Sequence, residues 1–504
     1  MEYKLVSPAP HRTSENQTLV VYTREIYMAT EEVGTIKKVG DKYRSFLHKD
    51  TENTTQRRHG GPPSFDTVNQ LIEEGRAKEW PKGSLEEEVQ NAIKTWDMEI
   101  EHKTRAQDIL RPSTLTRSSS LLMVHQTKTQ FGREGLAAEE IIRMGSYNAL
   151  LKNSLPKEFQ YYNWTRSVTI ENEEKEDAGY RLRPFKGHAP DGEKVEFYGS
   201  GVLNVDESMR AEDVEISYDP AELIGGLLIS PSQSEPEDNT VNTATATHGC
   251  PFSKEKKVDM AEEALIREAG DKYRSFLHDE AENITQWRHG GPPMYDSVNQ
   301  LFEEGRTKEW PKGSLEEVVQ NAIKSWEMEL SHKTRLQDFK TINPDKFKLI
   351  VNGREGLSGE ETLRIGSYNA LLKSSLPKEF QYYKADEETF ESSHDAFRSA
   401  LPRGFAWEVL SVYSGPPVIS FKFRHWGFFE GPFKGHAPTD EKVEFYGFGV
   451  LKVDESLRAE DVEVYYDPAE LFGGLLKGAL ISPCQSEDNT VNTATATRGC
   501  PFSK

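Results

Sequence analysis

Apolar positions fall at helical spacing behind clear start signals in the C-terminal half of the chain. After Gly313-Ser314-Leu315-Glu316-Glu317, where a serine stands three residues ahead of a glutamate, Val319, Ala322, Ile323, Trp326 and Leu330 recur on one helical face. A second such pair, Ser358 with Glu361, predicts another helix, and residues 387–400 predict a third that stops before Pro402. The pattern then changes. Phe405 to Tyr413, a Ser-Gly-Pro-Pro turn and Val418 to Trp426 are rich in aromatic and β-branched residues, which predicts a hairpin. Strands follow to about Tyr466. Helices first and an antiparallel sheet after make an α+β arrangement.

The same pattern is written twice. Residues 41–104 match 271–334 at 49 of 64 positions, and the first copy repeats the helical set as Ser84, Glu87, Val89, Ala92, Ile93, Trp96 and Ile100. The match resumes at Gly145 against Gly366 and at Pro184 against Pro432. Between those points the first copy has the charged stretch 163–183 where the second has Lys384 to Gly431, so it lacks the hairpin. A sheet without two strands leaves edges open, so the first copy is expected to pack poorly or to borrow a partner. The chain therefore divides into an N-terminal extension without a fold (1–36), an incomplete module (37–227), a polar linker (228–262), a complete module (263–482) and a disordered tail (483–504), the linker and tail being near-repeats rich in Ser, Thr, Asn and Asp.

Charge and cysteine usage narrow the partners. A net charge of −21 argues against nucleic acid and anionic membrane surfaces, which reward Lys/Arg stripes. No stretch approaches the ~20 apolar residues of a membrane span, and the first thirty residues lack the pattern of a secretory leader. The three cysteines, Cys250, Cys484 and Cys500, lie outside the repeated core, which points to a reducing, cytoplasmic setting. The Cys-Pro pairs at 250 and 500 are too short a signal for haem, no His/Cys cluster offers a metal site, and Arg-His-Gly-Gly-Pro-Pro at 288–293 lacks phosphate-loop spacing. No cofactor is expected.

From Asp271 to about Leu480 the motifs KYRSFLH, RHGGPP, EEGRTKEWPKGSLEE, SLPKEF, YSGPPVISFKFRHWGFFEGPFKGHAPT, KVEFYGFGVLKVDESL and YYDPAELFGGLLKGAL follow one another. In this order they resemble the plant pathogen-related proteins of the SnoaL-like branch of the nuclear-transport-factor-2-like superfamily. The resemblance implies two tandem cone-shaped modules, each with helices packed on a curved antiparallel sheet around a cavity, the first missing about two strands. It also implies a defence-associated protein whose cavity binds a small, largely apolar metabolite, with cyclase or isomerase chemistry left open. The alternative is a non-catalytic interaction module of the same fold that forms a homodimer through its sheet face.

Candidate site residues follow from the hairpin. Pairing Ser414 with Pro417 across the turn sets Ala406 against His425 and Glu408 against Phe423, so Glu408 and His425 share a face with Phe421 and Phe423. A buried carboxylate beside an imidazole suits proton abstraction next to a carbonyl; a structural ion pair for Glu408 and a core-filling His425 are the competing roles. Asp467 ends the last strand where SnoaL-like cyclases can place an acid, as Asp219 does in the first copy, although an Asp-Pro pair also caps a turn. His436, in a Gly/Pro-rich loop, and Tyr446 complete the proposed ligand-binding set with Phe421 and Phe423.

Overall fold

The computed structural model describes residues 4–5, 17–23, 126–127, 197–205, 211–228, 271–274, 285–376 and 378–481. The expectations placed on most of the linker 228–262, on the tail 483–504 and on the helical half of the first copy lie outside these residues.

The complete module is built around one long helix. Strands β1 (Lys4–Leu5), β2 (Gln17–Thr23), β3 (Gln126–Thr127), β4 (Gly199–Val205) and β5 (Ala211–Tyr218) and helix α1 (Pro220–Leu228) come first in the chain. They are followed by α2 (Asp296–Gly305) and α3 (Leu315–His332). Ser314 caps α3 by accepting from the Glu317 amide, and Glu317 reaches back to the Gly313 amide. Val319, Ile323, Trp326 and Leu330 on the predicted stripe are buried against the sheet. Next come β6 (Lys348–Val351), β7 (Leu357–Ser358), α4 (Gly359–Ile365), α5 (Ser367–Leu372) and α6 (Phe390–Ala400). Ser358 and Glu361 form the expected capping box on α4, and Thr389 with Ser392 caps α6. The sheet then closes with β8 (Ala406–Ser414), β9 (Val418–Phe428), β10 (Lys442–Val453) and β11 (Ala459–Tyr466), ahead of α7 (Pro468–Leu475).

The sheet order is β7-β6-β11-β10-β9-β8. It is mixed, because β6 runs parallel to β11 while the other neighbours are antiparallel. This corrects the purely antiparallel sheet of the sequence reading: β6 arrives through a crossover that the long β9–β10–β11 meander does not predict. Two glycines on β10 let aromatic rings lie flat on the sheet. A Cβ on Gly447 would come within 2.3 Å of the Phe423 ring, and one on Gly449 within 2.3 Å of the Phe421 ring.

The first sheet has the order β1-β2-β4-β5-β3. Its β4–β5 pairing repeats that of β10–β11, down to the bulge after Asn204 and after Lys452. β3 lies parallel to β5 as β6 does to β11. The place next to β4 belongs to β2, with Val21 opposite Gly201 as Phe421 is opposite Gly449, and β1 lies beyond β2 as β8 lies beyond β9. The extension 1–36, read as outside any fold, thus supplies strands where the first copy lacks its hairpin. An open edge on β4 offers free backbone groups, and the strand-forming run Gln17–Thr23 satisfies them.

The two sheets meet face to face. Val202 shares an apolar cluster with Phe448, Val450 and Tyr465, and Tyr198 and Tyr446 pack on its rim. Ser217 Oγ donates to the Tyr465 carbonyl at 3.0 Å, Lys422 pairs with Glu215 at 2.6 Å, and Arg354 pairs with Glu222 at 3.2 Å.

Candidate functional site

The hairpin register decides which side chains reach the module's interior. β8 and β9 pair Trp407 with His425, Glu408 with Arg424 and Val409 with Phe423, one residue away from the expected register. Irregularities between Val409 and Ser411 and between Val412 and Ser414 take up the difference, so the turn alone does not set the alignment. Shifting by one residue moves a side chain to the other face. His425, Phe423 and Phe421 point inward with Trp407, whereas Glu408 points outward with Arg424. The expected Glu408–His425 pair does not form.

Glu408 is fully buried and fully engaged. It pairs with Arg424 at 2.7 Å and accepts from the Thr307 and Lys308 amides at 2.5 and 2.7 Å. Arg424 also donates to the Gly305 carbonyl at 2.5 Å and lies over the Trp426 ring. The carboxylate therefore ties the end of α2 to the hairpin, which is the structural role weighed against catalysis for it.

His425 lies in an aromatic stack, 4.0 Å from the Phe405 ring centroid, 5.0 Å from that of Trp407 and 5.4 Å from that of Phe445. Burial pushes its imidazole down to about 3, and the charge of Lys324 adds to the effect, so the ring is neutral near pH 7. Its Nδ1 is buried and has no hydrogen-bond partner among the described residues, and the same holds for the indole nitrogens of Trp407 and Trp326. His425, Trp407, Phe405, Phe423, Phe445, Tyr368 and Tyr466 are among the residues lining a cavity of about 50 Å³. On the other side of Trp326, whose ring centroid is 6.2 Å from that of Trp407, an apolar slot of about 60 Å³ is lined by Ile323, Ile419, Leu451 and Val462. Its rim carries Val318, 41% exposed, and Leu457, 50% exposed.

The other candidates lie elsewhere. Asp467 caps α7 by accepting from the Ala469 amide at 2.9 Å, and Asp219 accepts from Ala221 in the same way. This is the capping role that an Asp-Pro pair favours. Burial, with Glu222 and Asp467 nearby, holds the Asp219 carboxyl well above the usual range. His436 is buried in a tight loop, its Nδ1 2.9 Å from the Gly478 carbonyl oxygen. Tyr446 is on the outer face of the sheet, opposite Arg424. Of the seven named residues, His425 and Phe423 line the cavity, and Phe421 packs in the surrounding core.

Sequence reasoning missed an ionisable group on α3. Glu327 is half-buried, and loss of water raises its carboxyl to about 7 despite the charges of Arg274 and Lys324. It is close enough to Tyr295 and Tyr368 to raise both hydroxyls. One turn before it, burial lowers the Lys324 ammonium to about 7, and its Nζ lies 3.3 Å from the Phe302 ring centroid. The signal available was two charged residues, Lys324 and Glu327, one turn apart on the helix beside its apolar stripe. Among the described residues no group of His, Cys, Asp and Glu is arranged to hold a metal ion, and no helix is long and apolar enough to cross a membrane.

No family model matches the sequence. Over 234 residues, 46% of this chain, it is 49% identical to the "Pathogen-related protein" of Hordeum vulgare and covers 94% of that protein. Among solved structures it is similar to a SnoaL-like polyketide cyclase from Jannaschia sp. CCS1, at 13% identity over 34% of this chain and 100% of that one, with a TM-score of 0.20. A polyketide cyclase from Acidithiobacillus ferrooxidans is similar at 12% identity over 34% and 100%, with a TM-score of 0.22. On the strength of the Hordeum vulgare match, the chain belongs to the pathogen-related protein family.

Proposed function

We propose that the interior of the complete module binds a small, largely apolar molecule carrying one hydrogen-bond acceptor, and that it does so without general-base chemistry by Glu408. The single observation behind this reading is the pair of buried indole N–H groups, on Trp326 and Trp407, that have no acceptor among the described residues. A buried donor left unsatisfied costs about 1–3 kcal/mol, and an acceptor on a ligand relieves that cost. The slot between Val318 and Leu457 is the entrance. Free volumes of about 60 and 50 Å³ admit only a few heavy atoms, so Trp326, which stands between them, moves as the ligand enters. The name of the Hordeum vulgare relative supports placing this binding in a response to pathogens, and cysteines outside the repeated core support a cytoplasmic setting.

The reading is tested by titrating the full chain with 2-heptanone and with heptane while following tryptophan fluorescence. The ketone is expected to bind more tightly than the alkane, and Trp407→Phe is expected to weaken the ketone alone by about tenfold, the worth of one hydrogen bond. Equal affinity for the two probes, or a ketone affinity untouched by Trp407→Phe, would sink the idea. A second reading, a non-catalytic interaction module, is favoured by a separate observation: the outer face of its sheet is covered by residues 197–228.

A further inference from the structure

A cleft of about 1110 Å³ is lined by residues of the Arg-His-Gly-Gly-Pro-Pro run, β7, α4 and the start of α6, and it shares no lining residue with the cavity beside His425 or the slot at Val318. Arg288 stands on its wall. The backbone there is fixed, because the Arg288 amide donates to the His332 carbonyl at 2.7 Å and Trp287 bridges to Lys333 just past α3. The guanidinium lies over the Phe390 ring, 3.6 Å from its centroid, and Phe390 is buried as the first residue of α6 behind the Thr389 cap.

What this guanidinium lacks is an anion. Arg335 and Lys373 line the same cleft and pair with Asp338 and Asp386. Arg288 makes no ion pair and no side-chain hydrogen bond among the described residues, and its Nε is buried. Glu391 acts on its charge only from beyond ion-pair distance. A buried donor left unmet is costly, and carboxylates and phosphates both relieve it by taking two N–H groups of the guanidinium fork at once. The acids of the cleft choose between them. Glu355, Glu360 and Glu391 line it, so a phosphate dianion is repelled where a single negative charge is tolerated. Leu357, Leu363 and Ile365 are half-buried along the same cleft and offer apolar surface to the rest of a ligand.

We propose that this cleft is a separate ligand site that takes a small monocarboxylate with an apolar tail, the carboxylate on Arg288 and the tail along Leu357, Leu363 and Ile365. The site does not depend on what the interior of the module binds.

The test is calorimetric titration of the full chain at pH 7.5 with octanoate, octan-1-ol and octyl phosphate. Octanoate is expected to bind at least tenfold more tightly than either of the others. Arg288→Gln is expected to weaken octanoate by about tenfold, the worth of a hydrogen bond to a charged group, with the melting temperature and the affinity for 2-heptanone unchanged. Arg288→Lys keeps the charge, loses the fork and is expected to fall between the two. Octanoate bound no more tightly than octan-1-ol, or equally by the native, Arg288→Lys and Arg288→Gln chains, would overturn the proposal, and octyl phosphate bound as tightly as octanoate would overturn its choice of a monocarboxylate. Because 2-heptanone reports on the interior alone, failure here is distinguishable from failure of the cavity reading.

Discussion

Glu408 and His425 stand on opposite faces of one hairpin, Glu408 across from Arg424 and His425 across from Trp407. Removing the carboxylate as Glu408→Ala leaves the Arg424 guanidinium, 6% exposed as a residue, without its buried partner. Breaking such a pair costs about 3–5 kcal/mol. Urea unfolding is expected to show a loss of that size, with ketone affinity at the folded state unchanged. A near-neutral effect on stability together with lost affinity would return Glu408 to the cavity.

The two capping aspartates make a milder prediction. Asp467→Ala removes the acceptor for the Ala469 amide at the start of α7, a change worth about 1 kcal/mol. A fall in melting temperature of a few degrees with ligand affinity retained is expected. Abolished binding at full stability would give Asp467 a chemical role instead.

Aromatic rings resting on Gly447 and Gly449 make these two positions of β10 intolerant of a side chain. Gly449→Ala would place its Cβ 2.3 Å from the Phe421 ring, so the ring must move out of a close-packed core at a cost of about 1–3 kcal/mol. Denaturant unfolding of this variant checks the estimate, and an unchanged midpoint would mean that Phe421 does not lie on the sheet as described.

Glu327 predicts a dependence on pH with a definite sign. Its carboxyl is raised to about 7 from an ordinary value of 4.5, by burial first, with Arg274 and Lys324 opposing and the Tyr295 and Tyr368 hydroxyls nearby. The folded chain therefore holds this proton more tightly than the unfolded chain does. The resulting stability is complete below about 4.5 and is lost as pH rises through 7. Relative to Glu327→Gln, the native chain should lose on the order of 2 kcal/mol between pH 5 and pH 8. Parallel unfolding curves for the two proteins across that range would rule it out.

Much of this architecture is written locally. Ser314 with Glu317 and Ser358 with Glu361 announce their helices because the cap is made within four residues. The alternation of β8 and β9 is visible for the same reason. The register between them is not, because two irregularities near Val409 and Val412 offset the strands, and a turn sequence does not encode them. That single displacement separated Glu408 from His425. The site residues that were missed, Trp326 and Glu327, belong to a helix whose position was read correctly. What gives them chemical interest is the sheet packed over them, which only the fold supplies. Strand β2 was the least legible element, because a short run, Gln17–Thr23, apolar only from Leu19 to Tyr22, has meaning only beside an edge supplied far along the chain.

That strand also orders events during synthesis. Thr23 pairs with Gly199, so β2 has no place until the chain as far as β4 has followed it. The β8–β9 hairpin, by contrast, closes on itself as soon as it is made. Closing a long loop slows pairing, so in the first module β2 is placed late, and until then the edge of β4 is open to strands from other chains.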